Sequence, residues 1–189
     1  MASPVAHSFA GFWSFLLFAK QMKIALGEQW RKYVGQLCLL VLVANLADFD
    51  VIPSLLLHKD FHHRASHSLL AAILVSLILS WLWKIAESFW RSFAIYFVAY
   101  GSHLLIDFFT GSRLGWNVRG DGLPLFWPWP RSRLHSTVVL FYGLTNGSIS
   151  ATFSVANLRA VCNDFLFFGS ITIAIAVARL LMLRVWGKR

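Results

Sequence analysis

An apolar run from Phe89 to Phe109 carries two ionisable residues, His103 and Asp107, close to its end. A run of that length reads as a membrane-spanning helix, since about 20 residues cross a bilayer. Residues four apart lie one above the other on a helix face. An imidazole and a carboxylate stacked in this way can share one divalent ion, or can simply hydrogen-bond each other to fix a helix contact. Ionisable groups at membrane depth cost about 3 kcal/mol or more each, so they come paired, metal-bound or facing water. The choice between a structural and a functional pair therefore turns on where the other histidines and carboxylates fall.

The rest of the chain agrees with a membrane setting. Of its 189 residues, 58% are hydrophobic and 13% charged, against about a quarter charged in soluble domains. The excess lies in runs such as Leu69–Leu82 and Ile171–Leu183. We therefore read residues 1–189 as a single integral membrane domain. The net charge of +9 would suggest nucleic acid in a soluble protein. Here the basic residues fall mostly between apolar runs, so lipid headgroups and topology account for them and no nucleic-acid partner is expected. The start Met1–His7 lacks the basic segment of a secretory signal, so the first helix is expected to stay. Cys38 and Cys162 stand far apart with no CxxC spacing, which argues against a disulfide or thiolate-metal role.

The expected fold is an all-α membrane bundle of about five transmembrane or partly inserted helices, over residues 5–19, 33–47, 67–84, 89–109 and 165–185. The first two are short for a span. Residues 111–160 form an interfacial loop region rich in Gly, Pro and Trp. Within it, Gly122–Pro130 contains three prolines and cannot be regular helix. Residues 135–153 alternate weakly and meet Asn146-Gly147, which fits a small hairpin at the membrane surface as well as another span.

If the chain crosses alternately, His7 begins the first helix and Asp48 and Asp50 end the second. His62, His63 and His67 begin the third, and His103 and Asp107 end the fourth. All then lie at one membrane face, which scattered core histidines would not do. The site is expected somewhat below the headgroups, where irregular backbone is tolerated beside a wet cavity. Orientation follows from the basic residues. With 111–164 on the site's side, nine lysines and arginines lie opposite and seven beside the site, favouring an extracytoplasmic site. If 135–156 spans instead, the tally reverses.

Taken together these residues resemble the YdjM-like family of bacterial inner-membrane, predicted metal-dependent hydrolases. The family's N-terminal histidine is matched by His7, and its Pro-Asp-x-Asp-like segment by Leu46-Ala47-Asp48-Phe49-Asp50. Its HRxxTHS-like segment is matched by His62-His63-Arg64-Ala65-Ser66-His67-Ser68. The HxxxD helix is His103–Asp107 with Thr110 and Gly111 after it, and the last motif is Leu125–Trp129. Ala47 stands where the family has proline and Ser66 where it has threonine, and the register of the first histidine in the third motif is open. The resemblance implies a multi-pass protein of the bacterial inner membrane, a bound metal and a hydrolytic reaction.

Imidazoles and carboxylates without thiolates suit zinc first, with manganese or iron as alternatives, in a hydrolytic site. The metal candidates are His7, Asp48, Asp50, His62, His63, His67, His103 and Asp107. Asp48 and Asp50 could bridge or cap two ions, or be two solvated acids at a helix end; they are also the candidate general bases. Arg64, among the ligands, could hold a phosphate oxygen. His58 and His135 read as surface residues, Asp60 as solvated, and Asp164 as either a supporting partner of the site or a polar end to the last helix. The expected activity is metal-dependent cleavage of a phosphoester or other ester in a membrane lipid or amphipathic substrate. A divalent-metal transporter, or a metal-binding membrane protein without catalysis, is the alternative; ligands gathered at one end without a repeat argue against transport. Haem is not expected beside Asp48, Asp50 and Asp107.

Overall fold

Helix α1, Pro4–Leu17, opens on a strong start signal: Ser3 in extended backbone accepts from the Ala6 N–H, and proline follows in the first turn. It runs 14 residues, about 21 Å at 1.5 Å per residue. Helix α2, Val34–Asn45, is flanked by 3-10 turns at Trp30–Tyr33 and Leu46–Asp50. Helices α3, Leu69–Leu82, and α4, Phe89–Phe108, are each capped by a serine, Ser68 and Ser88. Helix α5 is Val155–Trp186. The computed structural model describes residues 1–24, 30–51, 65–129, 133–145 and 154–186.

The five helices expected from sequence are present, with shifted ends. The largest shift is at α5, which begins ten residues before the expected start at 165. Its first turns carry Asn157, Arg159 and Asp164, which read as loop. Asn157 instead exchanges hydrogen bonds with Thr145, and the Asp164 carboxylate accepts from the Ser3 N–H at 3.1 Å. Tertiary partners for polar side chains, invisible in one-dimensional pattern, extend the helix.

The chain is mostly helical and not all-α. Four two-residue strands follow α4: β1 Thr110–Gly111, β2 Gly115–Trp116, β3 Val138–Val139 and β4 Phe141–Tyr142. β1 pairs parallel with β4, and β2 pairs antiparallel with β3. Residues 138–142 thus pair back with the segment leaving α4 instead of forming a hairpin of their own, and they are not a helical span. The reason is backbone accounting: a Gly- and Pro-rich segment that cannot be helix must find partners for its N–H and C=O groups elsewhere. Asn146-Gly147 lies outside the described residues.

Helix packing relies on small residues. Gly11 lets α1 and α2 approach so closely that a Cβ there would stand 2.6 Å from the Val41 Cα. Ala72, Ser76 and Ser80 form a buried stripe on α3, and each serine hydroxyl donates to the carbonyl four residues earlier. On α4 the buried side includes Ser92, Tyr96, Ala99, His103 and Asp107. One core cluster lies among α1 to α4, around Leu40, Val43, Ile95 and Tyr96. A smaller one, with Ala6, Ile106, Phe141 and Phe168, joins α1 and α5.

The outer surface is apolar. Leu74 and Ile78 on α3, and Leu166 and Ile173 on α5, are exposed, a pattern that soluble monomers avoid. Two helices, Arg31–Asp50 and Val155–Ala178, are long and apolar enough to cross a membrane. Exposed tryptophans gather at two levels. Trp81, Trp83 and Trp90 surround the α3–α4 turn, and Trp116, Trp127 and Trp129 follow the far end of α4. Such rings suit the two interfaces of a bilayer.

Candidate metal centre

Four elements deliver ionisable side chains to one buried point. The first turns of α1 bring His7, the 3-10 turn after α2 brings Asp48 and Asp50, the turn before α3 brings His67, and α4 brings His103 and Asp107. His7, His67 and His103 are fully buried, and the Asp107 side chain with them. Asp48 and Asp50 keep a small open edge, with side chains 10% and 11% exposed.

The contacts have a definite pattern. His67 Nε2 lies 3.4 Å from Asp48 Oδ1, 3.5 Å from Asp107 Oδ2 and 3.2 Å from His103 Nε2. His103 Nε2 lies 3.4 Å from each of the same two carboxylate oxygens. Ligand atoms held about 2.0–2.1 Å from a tetrahedral ion stand roughly 3.3 Å apart. These five contacts have the spacing found within a coordination shell. Among the described residues, both His7 nitrogens, both Asp48 oxygens and Asp107 Oδ2 are buried without a hydrogen-bond partner. Several such groups in one place cost too much to be left without a cation. The residues present therefore fit a divalent ion. The donors are nitrogen and oxygen only, since Cys38 and Cys162 are free and exposed.

The imidazoles are held from behind. His103 Nδ1 sits 2.8 Å from the Ala44 carbonyl, so the proton belongs on Nδ1 and the Nε2 lone pair faces the centre. His67 Nδ1 meets Asp50 Oδ2 at 3.3 Å, and the Ser66 hydroxyl donates to that same oxygen. Tyr100 donates to the Ser66 carbonyl at 2.6 Å, tying this turn to α4. On the other flank the Ala2 N–H donates to Asp107 Oδ1 at 2.7 Å.

Residues 1–186 match the YdjM inner membrane protein family. The chain belongs to that family. No curated protein and no solved structure matches it. Membership and the two candidate spans place this YdjM-family protein in a membrane.

Of the residues singled out from sequence, the YdjM-family fold brings His7, Asp48, His103 and Asp107 together, with His67 beside them. Asp50 lies one imidazole away from the centre, against the rear nitrogen of His67. His62, His63, Arg64, His58 and Asp60 fall outside the described residues. His135 contacts Arg119 and the Gly120 carbonyl instead. Sequence reading had no means to find the Ala44 carbonyl or the Ala2 N–H, because backbone groups carry no residue signature. Tyr100 did leave a trace: three residues before His103, it shares that residue's helix face.

Proposed function

We propose that this protein is a multi-pass, membrane-embedded metal-dependent hydrolase that cleaves a phosphoester or other ester of an amphipathic or lipid substrate. The observation that carries the reading is the group of four ligand atoms, two nitrogens and two oxygens, His67 Nε2, His103 Nε2, Asp48 Oδ1 and Asp107 Oδ2, spaced 3.2–3.5 Å apart wherever a contact joins them. A divalent ion bound there, zinc by donor type with manganese or iron as alternatives, supplies Lewis acidity and brings the pKa of a water towards neutrality.

The chain's own groups divide the remaining work. Ala44 and Asp50 fix the ring orientations of His103 and His67. Asp48, whose Oδ2 lies at the centre without a hydrogen-bond partner, is the candidate to take the proton of the attacking water as the ester bond breaks and the alcohol leaves. Arg64, two residues before Ser66, is the candidate for holding a phosphate oxygen. A lipid or amphipathic substrate is favoured by the surroundings. An apolar groove of about 400 Å³, lined by Pro4, Val5, Phe9, Phe12 and Phe165, runs along the turn of α1 that carries His7. The two tryptophan levels favour α3 and α4 as spans, and the basic residues favour a site on the extracytoplasmic side.

The test is elemental analysis of purified protein, followed by hydrolysis of phosphodiester and lipid ester substrates in detergent or vesicles. Stoichiometric metal with turnover that is lost in His103→Ala/Asp107→Ala supports the reading. Metal without turnover on any ester would leave a metal-binding protein and refute the hydrolase.

A further inference from the structure

The imidazoles of His7 and His103 are stacked, with ring centroids 3.7 Å apart and planes 19° from parallel. Each faces the same two carboxylates through different oxygens. His103 Nε2 lies 3.4 Å from Asp48 Oδ1 and 3.4 Å from Asp107 Oδ2. His7 Nε2 lies 3.8 Å from Asp48 Oδ2 and 3.5 Å from Asp107 Oδ1. Asp48 and Asp107 are thus each turned edge-on between two imidazoles, with one oxygen per side. A hydrogen-bonded core would not need this duplication: one protonated histidine per carboxylate would suffice.

We infer that the centre holds two divalent ions, bridged by the carboxylates of Asp48 and Asp107. One is bound by His67 and His103, the other by His7. This rests on the metal centre proposed above and adds its nuclearity. The ring separation of 3.7 Å falls within the spacing of about 3.5–4 Å found between paired ions in phosphatases and nucleases. His7 is fully buried and neither of its nitrogens has a hydrogen-bond partner among the described residues, so its contact with the carboxylates is not an ordinary hydrogen bond. The Ala2 N–H uses one lone pair of Asp107 Oδ1 and leaves the other for an ion.

The second position has three protein ligands against four at the first, so it is the more open and the weaker. It is the place where a substrate oxygen would enter. A paired-ion centre of this kind favours phosphoester over carboxylic ester substrates, since two ions can hold the attacking and leaving oxygens of an in-line displacement.

The experiment is metal stoichiometry of the full chain in detergent, by elemental analysis after dialysis against zinc, with electron paramagnetic resonance of manganese-loaded protein alongside. The expected result is two zinc ions per wild-type chain and one in His7→Ala, and an exchange-coupled manganese pair in wild type that becomes an isolated six-line signal in the variant. One ion per wild-type chain, or an unchanged count in His7→Ala, overturns the paired centre while leaving the single-ion site intact. No ion in wild type overturns both. Should His7→Ala fail to fold, the coupled or uncoupled manganese spectrum of wild type decides alone.

Discussion

The Nε2 atoms of His67 and His103 stand 3.2 Å apart, and Asp107 Oδ2 is within 3.5 Å of both. The Ala44 carbonyl behind His103 and the Asp50 carboxylate behind His67 both call for a proton on Nδ1. The inner nitrogens then face each other as lone pairs, next to two carboxylate oxygens. Such a cluster repels itself unless a cation sits in it. Removing metal should therefore destabilise the whole bundle, because the four elements meet here. An ion present at about 1,000 times its dissociation constant stabilises by about 4 kcal/mol, which corresponds to roughly 10 °C in Tm for a chain of this length. Thermal unfolding in detergent, before and after chelation and after zinc is returned, checks this; a Tm indifferent to chelation would speak against an ion.

Asp50 acts on the centre through His67, and this separates it from Asp48. The Asp50→Asn variant should keep the wild-type number of ions and bind them about 10- to 100-fold more weakly, the usual cost of losing a carboxylate behind a ligating histidine. Asp48→Asn should lose stoichiometry outright. Competition with a chromophoric chelator measures both. Equal affinity in Asp50→Asn and wild type would remove the orienting role.

Gly11 brings His7 to Asp48. It lies one turn beyond His7 on α1, and a Cβ there would collide with Val41 Cα and the Leu40 carbonyl, both backbone atoms. Gly11→Ala should force α1 away from α2 and destabilise by about 1–3 kcal/mol, with metal loss at the His7 side first. Gly35→Ala and Gly101→Ala are the controls, because nothing lies within 4 Å of a Cβ at either position. As helical positions they should gain up to about 1 kcal/mol. Denaturation curves of the three variants decide; a tolerant Gly11 would mean that the helix crossing is looser than its geometry.

Much of the helical skeleton was legible in the sequence because apolar runs and serine caps are local signals. Ser68 and Ser88 mark their helices without any tertiary knowledge. The convergence of His7, Asp48, His67, His103 and Asp107 was legible for a topological reason: helices that alternate in direction bring the end of one and the start of the next to one level. What escaped depends on long-range pairing. The first ten residues of α5 look like loop until Asn157 finds Thr145 and Asp164 finds Ser3. The parallel pairing of Thr110 with Phe141 joins segments about 30 residues apart, each too short to show a strand period. The orienting part of Asp50 is equally hidden, since spacing alone cannot distinguish a ligand from the residue behind one.

At the end of the bundle away from the centre, Lys23 Nζ lies 2.6 Å from Glu87 Oε1, and Arg91 reaches the other oxygen at 2.8 Å. The Lys23 ammonium, helped by Arg91, holds the Glu87 carboxyl below its ordinary pKa. A carboxyl whose pKa is lowered on folding stabilises the fold above its unfolded value, near 4.3, and loses that contribution as pH falls through the folded one. All three side chains are at least half exposed, so salt screens the pair and its effect is small. Glu87→Gln should therefore lower Tm slightly at pH 7 in low salt, and this difference should vanish in 1 M salt and fade as pH falls below about 4. Zinc stoichiometry should stay the same throughout, because Arg91 stands roughly 18–24 Å along α4 from His103 and Asp107. Thermal melts across pH and salt, with metal measured on the same samples, make the comparison. A Glu87→Gln deficit that survives high salt, or one that carries metal loss with it, would show that the two ends of the bundle are coupled.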